Sequence, residues 1–184
     1  MNDMPPPGKR ISVRGSSAAG KSTLGKELAR RLDLPYVELD GINHQPNWKE
    51  IETEEFRRRV GEIVAQDGWV IDGNYARVRD LIFERCDTVI WLDYSLPVIL
   101  WRLTRRIFRR SLRQEVLWNG NRERFWWHFF SKESLYLWVL TTHRRRRGQA
   151  DEFFASPELQ GKTGIRFRRP SEAKAWLESV PDRP

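Results

Sequence analysis

Cysteine is almost absent from this 184-residue chain. Cys86 stands alone, which excludes a disulfide framework and a cysteine-built zinc site. Histidine is scarce too, with three in all, so no credible His/Cys metal set exists. No apolar run approaches the ~18–20 residues that carry a helix across a bilayer. The opening MNDMPPPGKR lacks the apolar stretch of a secretory signal. A cytoplasmic protein with no membrane partner is expected.

Charge and large aromatic side chains are plentiful instead. Charged residues make up 32% and hydrophobic ones 39%, with nine Trp and nine Phe, a composition that excludes disorder over most of the chain. The length suits one domain, expected over residues 1–184, with 1–8 as a flexible leader because its three consecutive prolines start neither a helix nor a central strand. The net charge of +8 is unevenly placed: residues 1–92 hold 14 basic against 15 acidic side chains, residues 93–184 hold 19 against 10. Arginine dominates the basic set, and its planar fork suits phosphate. Such a field fits nucleic acid, an anionic membrane surface or a phosphorylated small molecule, and composition does not choose among them.

Periodicity predicts the fold class. A short strand at 9–14 turns Ile11 and Val13 inward. Helical spacing then places Leu24, Leu28 and Leu32 on one face up to Pro35. A second strand is expected at 36–40, followed by a loop with Gly41, Asn43 and Pro46. A helix at 53–66 carries the stripe Phe56, Val60, Ile63, Val64. The apolar runs Trp69–Asp72 and 88–93 read as strands buried on both faces, with a helix at 75–84 between them. After Pro97 comes an Arg-rich helix, then a mostly helical, Trp- and Arg-rich insertion, lid-like over 107–147. A polar connection at 148–164, a strand at 165–167 and a helix at 171–179 capped by Ser171 complete the chain. The alternation predicts an α/β fold with a five-stranded parallel sheet covered on both faces by helices.

The residues from Gly15 to Ser22 fit G-x-x-x-x-G-K-[ST], between an apolar strand and an amphipathic helix as the motif requires. Gly15 and Gly20 allow a tight loop, with Ser16, Ser17, Ala18 and Ala19, whose N–H groups wrap a phosphate at the positive end of a helix. Lys21 reaches the β/γ-phosphates, Ser22 offers its hydroxyl to Mg²⁺, and Thr23 adds a second hydroxyl. A P-loop site for ATP and Mg²⁺ is therefore expected. No N-K-x-D motif is present, which argues against a GTPase.

The short chain, the Arg-rich helix after the fourth strand and the helical insertion resemble the nucleoside monophosphate kinase-like group. Asp72-Gly73 resembles the D-G that ends the third strand of adenylate kinases. Arg102 and Arg106, nine and thirteen residues after Asp93, match the spacing of an adenine-stacking and a phosphate-binding arginine. Residues 168–173 resemble the last turn over the base. Closer still, Leu39-Asp40 with Pro46-x-Trp48, the run from Trp69 to Tyr75, and Trp118-Asn119-Gly120-Asn121-Arg122-Glu123 resemble small bacterial adenylate kinase-like or topology-modulation proteins. The resemblance implies an ATP-binding kinase with Arg102 on the nucleotide, Arg106 catalytic and Asp72 near Mg²⁺, and it names no acceptor.

Asp40 falls at the ligand edge of such a sheet. In kinases that phosphorylate a hydroxyl, of the uridine, pantothenate and shikimate types, an acidic residue there resembles a base or hydroxyl anchor. Arg57, Arg58 or Arg59 would instead suit an acceptor phosphate. His44, Trp48 and Tyr75 are candidate pocket walls. The run Arg144-Arg145-Arg146-Arg147 resembles the position from which a lid supplies arginine to a transferring phosphoryl group, and it also reads as an exposed helix end. Catalysis is thus expected from Lys21, Asp40 and Arg106, acting on a small-molecule acceptor. The alternative is an ATP-binding regulator that contacts nucleic acid through the basic, Trp-rich insertion, where Trp118, Phe125, Trp126, Trp127, Phe129, Phe130, Tyr136 and Trp138 suit base stacking, though the same rings read more readily as the insertion's own small core or a dimer contact.

Overall fold

The computed structural model describes residues 4–113, 118–120 and 135–182. Five strands, β1 (Arg10–Gly15), β2 (Tyr36–Glu38), β3 (Trp69–Asp72), β4 (Thr88–Leu92) and β5 (Thr163–Phe167), form one sheet in the order β2-β3-β1-β4-β5. Every pairing is parallel. The expected α/β fold with a five-stranded parallel sheet is therefore what forms.

The helices are α1 (Lys21–Leu32), α2 (Leu39–Asn43), α3 (Thr53–Val64), α4 (Arg79–Arg85), α5 (Leu96–Arg113), α6 (Leu135–Ala155) and α7 (Pro170–Ser179), with 3-10 turns at Pro46–Trp48, Ala76–Val78, Trp118–Gly120 and Pro157–Leu159. Alternate residues of each strand feed two cores. Ile11, Val13, Val70 and Ile90 meet Leu24 and Leu28 of α1, Ile99, Leu103 and Ile107 of α5, and Trp176 of α7. On the opposite face, Trp69, Ile71, Val89 and Trp91 meet Phe56 and Val60 of α3, Ile82 and Phe83 of α4, and Ala150 and Phe153 of α6. The helix α6 belongs to both cores, because Val139 near its start packs in the first.

Several sequence expectations are corrected. β2 stops at Glu38, and Asp40 lies inside the short helix α2. The helix expected at 75–84 is a 3-10 turn at Ala76–Val78 followed by α4. Of the polar connection expected at 148–164, residues 148–155 are instead the end of α6, because Ala150 and Phe153 have a core to bury against, and the 3-10 turn Pro157–Leu159 leads on to β5 at Thr163. α7 starts one residue earlier than expected, and its cap is Glu172, whose Oε2 accepts from the N–H groups of Arg168 and Arg169 at 2.9 and 3.0 Å. Of the stretch 107–147, Ile107 and Val139 are buried in the core. Phe125, Trp126, Trp127, Phe129 and Phe130 lie outside the described residues. No helix among those described is long and apolar enough to cross a membrane.

Phe56 links this packing to the site, since it is fully buried and its ring meets Tyr75 edge-on at 5.3 Å. Removing so large a buried ring leaves a cavity. Phe56→Ala is expected to lower the unfolding free energy by about 3–5 kcal/mol, read by denaturant titration.

Candidate functional site

Three strands end on one edge in residues that carry chemistry: Gly15 on β1, Glu38 on β2 and Asp72 on β3. Asp93 follows β4 at the same edge. In open parallel sheets this carboxyl edge is where ligands sit.

The loop from Gly15 to Gly20 is held in its turn by two glycines in the left-handed region. Gly15 has φ +146° and Gly20 φ +96°, and a Cβ on Gly15 would stand 2.7 Å from the Leu92 carbonyl. Asn74 fixes the loop's root: Gly15 N–H donates to Asn74 Oδ1 at 3.4 Å and Asn74 Nδ2 donates to Gly15 O at 2.6 Å. Ser16 and Ala19 are buried, Ser17 and Ala18 half-buried, and Thr23 is exposed. Lys21 folds back over the loop, its Nζ donating to Ser16 O at 3.3 Å. Burial pushes the Lys21 ammonium below its usual range, Asp72 and Asp40 pull it up, and Arg146 and Arg106 lower it further. These five charged side chains therefore share one neighbourhood.

Carboxylates line the floor. Ser22 Oγ donates to Glu38 Oε1 at 2.9 Å. Asp72 is buried, and its Oδ2 accepts from Tyr36 OH at 2.8 Å. Burial raises the Asp72 carboxyl, against the opposing pull of Lys21, Ser22 and Tyr36. On the other side of the loop, Arg102 Nη1 donates to Ala19 O at 2.7 Å, with its guanidinium 5.4 Å from the Tyr94 ring centre.

A second group of side chains surrounds Asp40. Tyr75 OH donates to Asp40 Oδ1 at 2.7 Å and stands 3.5 Å from His44 Nε2. The His44 ring lies 5.4 Å from Trp48 and 5.9 Å from Trp118. Asn119 Nδ2 donates to His44 O at 2.6 Å, so the 3-10 turn Trp118–Gly120 docks on α2. Beneath it Arg77 donates to Ile51 O and Thr53 Oγ1, both at 3.2 Å, and to Asn43 Oδ1.

The expected wall residues His44, Trp48 and Tyr75 thus cluster around Asp40. Arg57, Arg58 and Arg59 do not. Arg57 is paired with Asp80 at 2.7 Å, Arg58 with Glu55 and Glu62, and Arg59 with Glu55, all on the outer surface. The four arginines of 144–147 lie mid-helix rather than at a helix end. Arg144 and Arg145 are exposed, Arg146 is half-buried, and Arg147 Nε reaches Asp93 at 3.4 Å. Sequence reasoning passed over Glu38, Arg77 and Arg14. Only Glu38 left a signal, standing two residues before Asp40.

The donors fit Mg·ATP. The loop and Lys21 suit phosphate oxygens, while the Ser22 hydroxyl with the Glu38 and Asp72 carboxylates suits a hydrated divalent cation that arrives with those phosphates. Among the described residues no cluster of three or more His, Cys, Asp or Glu forms a ready-made metal cage.

A family model described as shikimate kinase matches residues 17–154. A shikimate kinase of Sulfurihydrogenibium sp. is 29% identical over 123 residues, covering 59% of this chain and 74% of that protein. The shikimate kinase of Geobacter sulfurreducens is 32% identical over 118 residues, covering 54% of this chain and 64% of the relative, just under two thirds of its length. The crystal structure of shikimate kinase from Bacteroides thetaiotaomicron matches 92% of this chain and 94% of its own, with TM-score 0.53 and 18% identity, a likeness of fold. The P-loop kinase-like family expected from Gly15–Ser22 is thereby met. The nucleic-acid alternative draws no support from these comparisons.

Asp72 yields a pH prediction. Its folded-state carboxyl is raised, so its contribution to stability is complete below the unfolded value of about 4 and is lost as pH rises through the folded value. Asp72→Asn is expected to melt higher than the parent at neutral pH, the gap closing as pH falls toward about 4. Thermal melts across pH check this, and a gap independent of pH would contradict it.

Proposed function

Because the chain belongs to the shikimate kinase family, we propose that it transfers the γ-phosphoryl group of ATP to a hydroxyl of a small-molecule acceptor. The observation that carries this reading is the placement of Asp40: Tyr75 pins it at 2.7 Å, and it acts on Lys21 from the acceptor side. The family makes shikimate the first acceptor to test.

In this reading residues 15–23 and Lys21 hold the phosphates, and Arg102, packed on the loop at Ala19, borders the adenine. Ser22, with Glu38 and Asp72, holds the hydrated Mg²⁺, which neutralises phosphate charge when bound. The acceptor oxygen forms a bond to the γ-phosphorus as the bond to the ADP oxygen breaks, and the hydroxyl proton passes to Asp40. Tyr75 keeps the receiving carboxylate oriented. Charge developing on the transferring group meets Lys21, Arg106 and Arg146, cations already fixed in place.

ADP release from Mg·ATP, measured with shikimate and with other hydroxyl acceptors, tests the assignment. Lys21→Ala is expected to abolish acceptor-stimulated release while the protein still folds. Asp40→Asn is expected to lower kcat by roughly 10²–10⁴-fold, the usual contribution of a positioned base, with KM for ATP little changed. Stimulation by a nucleoside monophosphate that survives Asp40→Asn would contradict the hydroxyl assignment, since a phosphate acceptor needs no base.

A further inference from the structure

The helices α5 and α6 are apolar on more than the side they bury. On α5, Ile99, Leu103 and Ile107 repeat at helical spacing and pack in the core. Trp101 stands two residues from both Ile99 and Leu103, hence on the far side of the helix, and is 67% exposed. On α6, Val139, Thr142 and His143 are buried, while Leu137, Trp138 and Leu140 are each about half exposed. A helix that buries one stripe has polar and charged groups on the other in an isolated globular domain.

Two hydrogen bonds set the helices side by side. Tyr136 OH donates to Thr104 Oγ1 at 2.8 Å and His143 Nε2 donates to Tyr94 O at 3.0 Å, so α6 runs antiparallel to α5. Trp101 stands one turn before Thr104, and Leu140 one turn after Tyr136, so both border the same seam. Leu137 adjoins Leu140 one turn back along α6. Arg105, one turn after Trp101, lies past one end of this apolar group. Arg144, one turn after Leu140, lies past the other. Both arginines are exposed, and among the described residues neither an ion pair nor a hydrogen bond engages them.

The charge on these helices has one sign. Leu96–Arg113 of α5 holds six arginines and no Asp or Glu, and residues 135–150 of α6 hold four arginines and again no acid. An apolar strip between arginines, in a field without carboxylates, matches a bilayer interface with anionic headgroups. There the ring and the leucines enter the acyl boundary, and each guanidinium meets a headgroup phosphate. We propose that Trp101, Leu137 and Leu140, set between Arg105 and Arg144, dock this chain on the surface of an anionic lipid bilayer.

Other occupants suit the face less well. A second copy would bring arginine against arginine, since a two-fold interface pairs a patch with itself. A nucleic acid strand would find one ring to stack on at Trp101, and Leu137 and Leu140 offer its bases none. The lack of a spanning run, from which no membrane partner is expected, bears on crossing a bilayer and not on lying against one. The docking stands apart from the phosphotransfer reading, since none of these five residues belongs to that machinery.

Co-sedimentation of the full chain with vesicles tests the docking, with phosphatidylcholine alone and with equal parts of phosphatidylcholine and phosphatidylglycerol. The chain is expected to sediment with the mixed vesicles and to stay in solution with phosphatidylcholine. Trp101→Ser combined with Leu140→Ser removes the apolar anchors and is expected to weaken binding by roughly 10-fold or more. Arg105→Glu is expected to weaken it by at least about 5-fold, the worth of one arginine near such a surface. Arg58→Glu, on the outer surface of α3, controls for net charge and is expected to weaken it far less. All four positions are exposed, so thermal melts are expected to match the wild type; Arg105→Glu serves if the double variant does not fold.

A chain that stays in solution with the mixed vesicles overturns the proposal. So does binding unchanged in the double variant, or an Arg58→Glu loss equal to that of Arg105→Glu, which would make net charge the cause. Two arms identify the occupant in that case. A single-stranded oligonucleotide whose binding Arg105→Glu weakens assigns the face to nucleic acid. A dimer in sedimentation velocity that the double variant dissociates assigns it to a second copy.

Discussion

Everything at the carboxyl edge of the sheet is arranged around one buried ammonium. Lys21 sits at the start of α1 with its Nζ folded onto Ser16 O, deprived of water, among the carboxylates of Asp72 and Asp40 and the guanidinium groups of Arg106 and Arg146. A charge so placed is held by its neighbours or not at all. The carboxylates keep it cationic, and they are in turn kept in place by Tyr36 and Tyr75. The arginines act against it. Cations that lower one another's charge in this way suit a polyphosphate.

Two mechanical links join this centre to Asp40. Asn74 is bonded through both ends of its amide to the backbone of Gly15, so the turn after β3 cannot move without the phosphate loop. The next residue, Tyr75, holds Asp40. Arg77 then anchors Asn43 and Ile51, at the two ends of the segment that carries His44 and Trp48. One short stretch after β3 therefore sets the phosphate loop, the Asp40 carboxylate and the aromatic cluster in a common frame. Positioning of this kind is most of what phosphoryl transfer asks of a protein.

The sheet, the phosphate loop and the helices with clean apolar stripes were legible because each depends on local pattern. Ile11 and Val13 alternate, Leu24 and Leu28 repeat at helical spacing, and Gly15 to Ser22 needs its own residues at its own positions. What was not legible depends on contacts distant in sequence. α6 continues through 148–155 because Phe153 finds Phe83 and Trp91, about sixty residues and more away. The arginines at 57–59 are turned outward by Asp80, Glu55 and Glu62, which the stripe of α3 alone does not reveal. Among the four arginines of 144–147, only the helix's rotation against the sheet singles out Arg146. Arg14 reads as one more surface cation in a strand until Phe83 and Trp91 are seen to enclose it.

The central claim is that this concentration of charge transfers phosphorus from ATP to carbon-bound oxygen. Phosphorus-31 NMR of a reaction containing the enzyme, Mg·ATP and shikimate or another hydroxyl acceptor addresses it without coupling enzymes. The account predicts a new phosphomonoester resonance growing in step with ADP and absent when the acceptor is left out. A new phosphoanhydride resonance, or inorganic phosphate as the sole product with every acceptor, would contradict it.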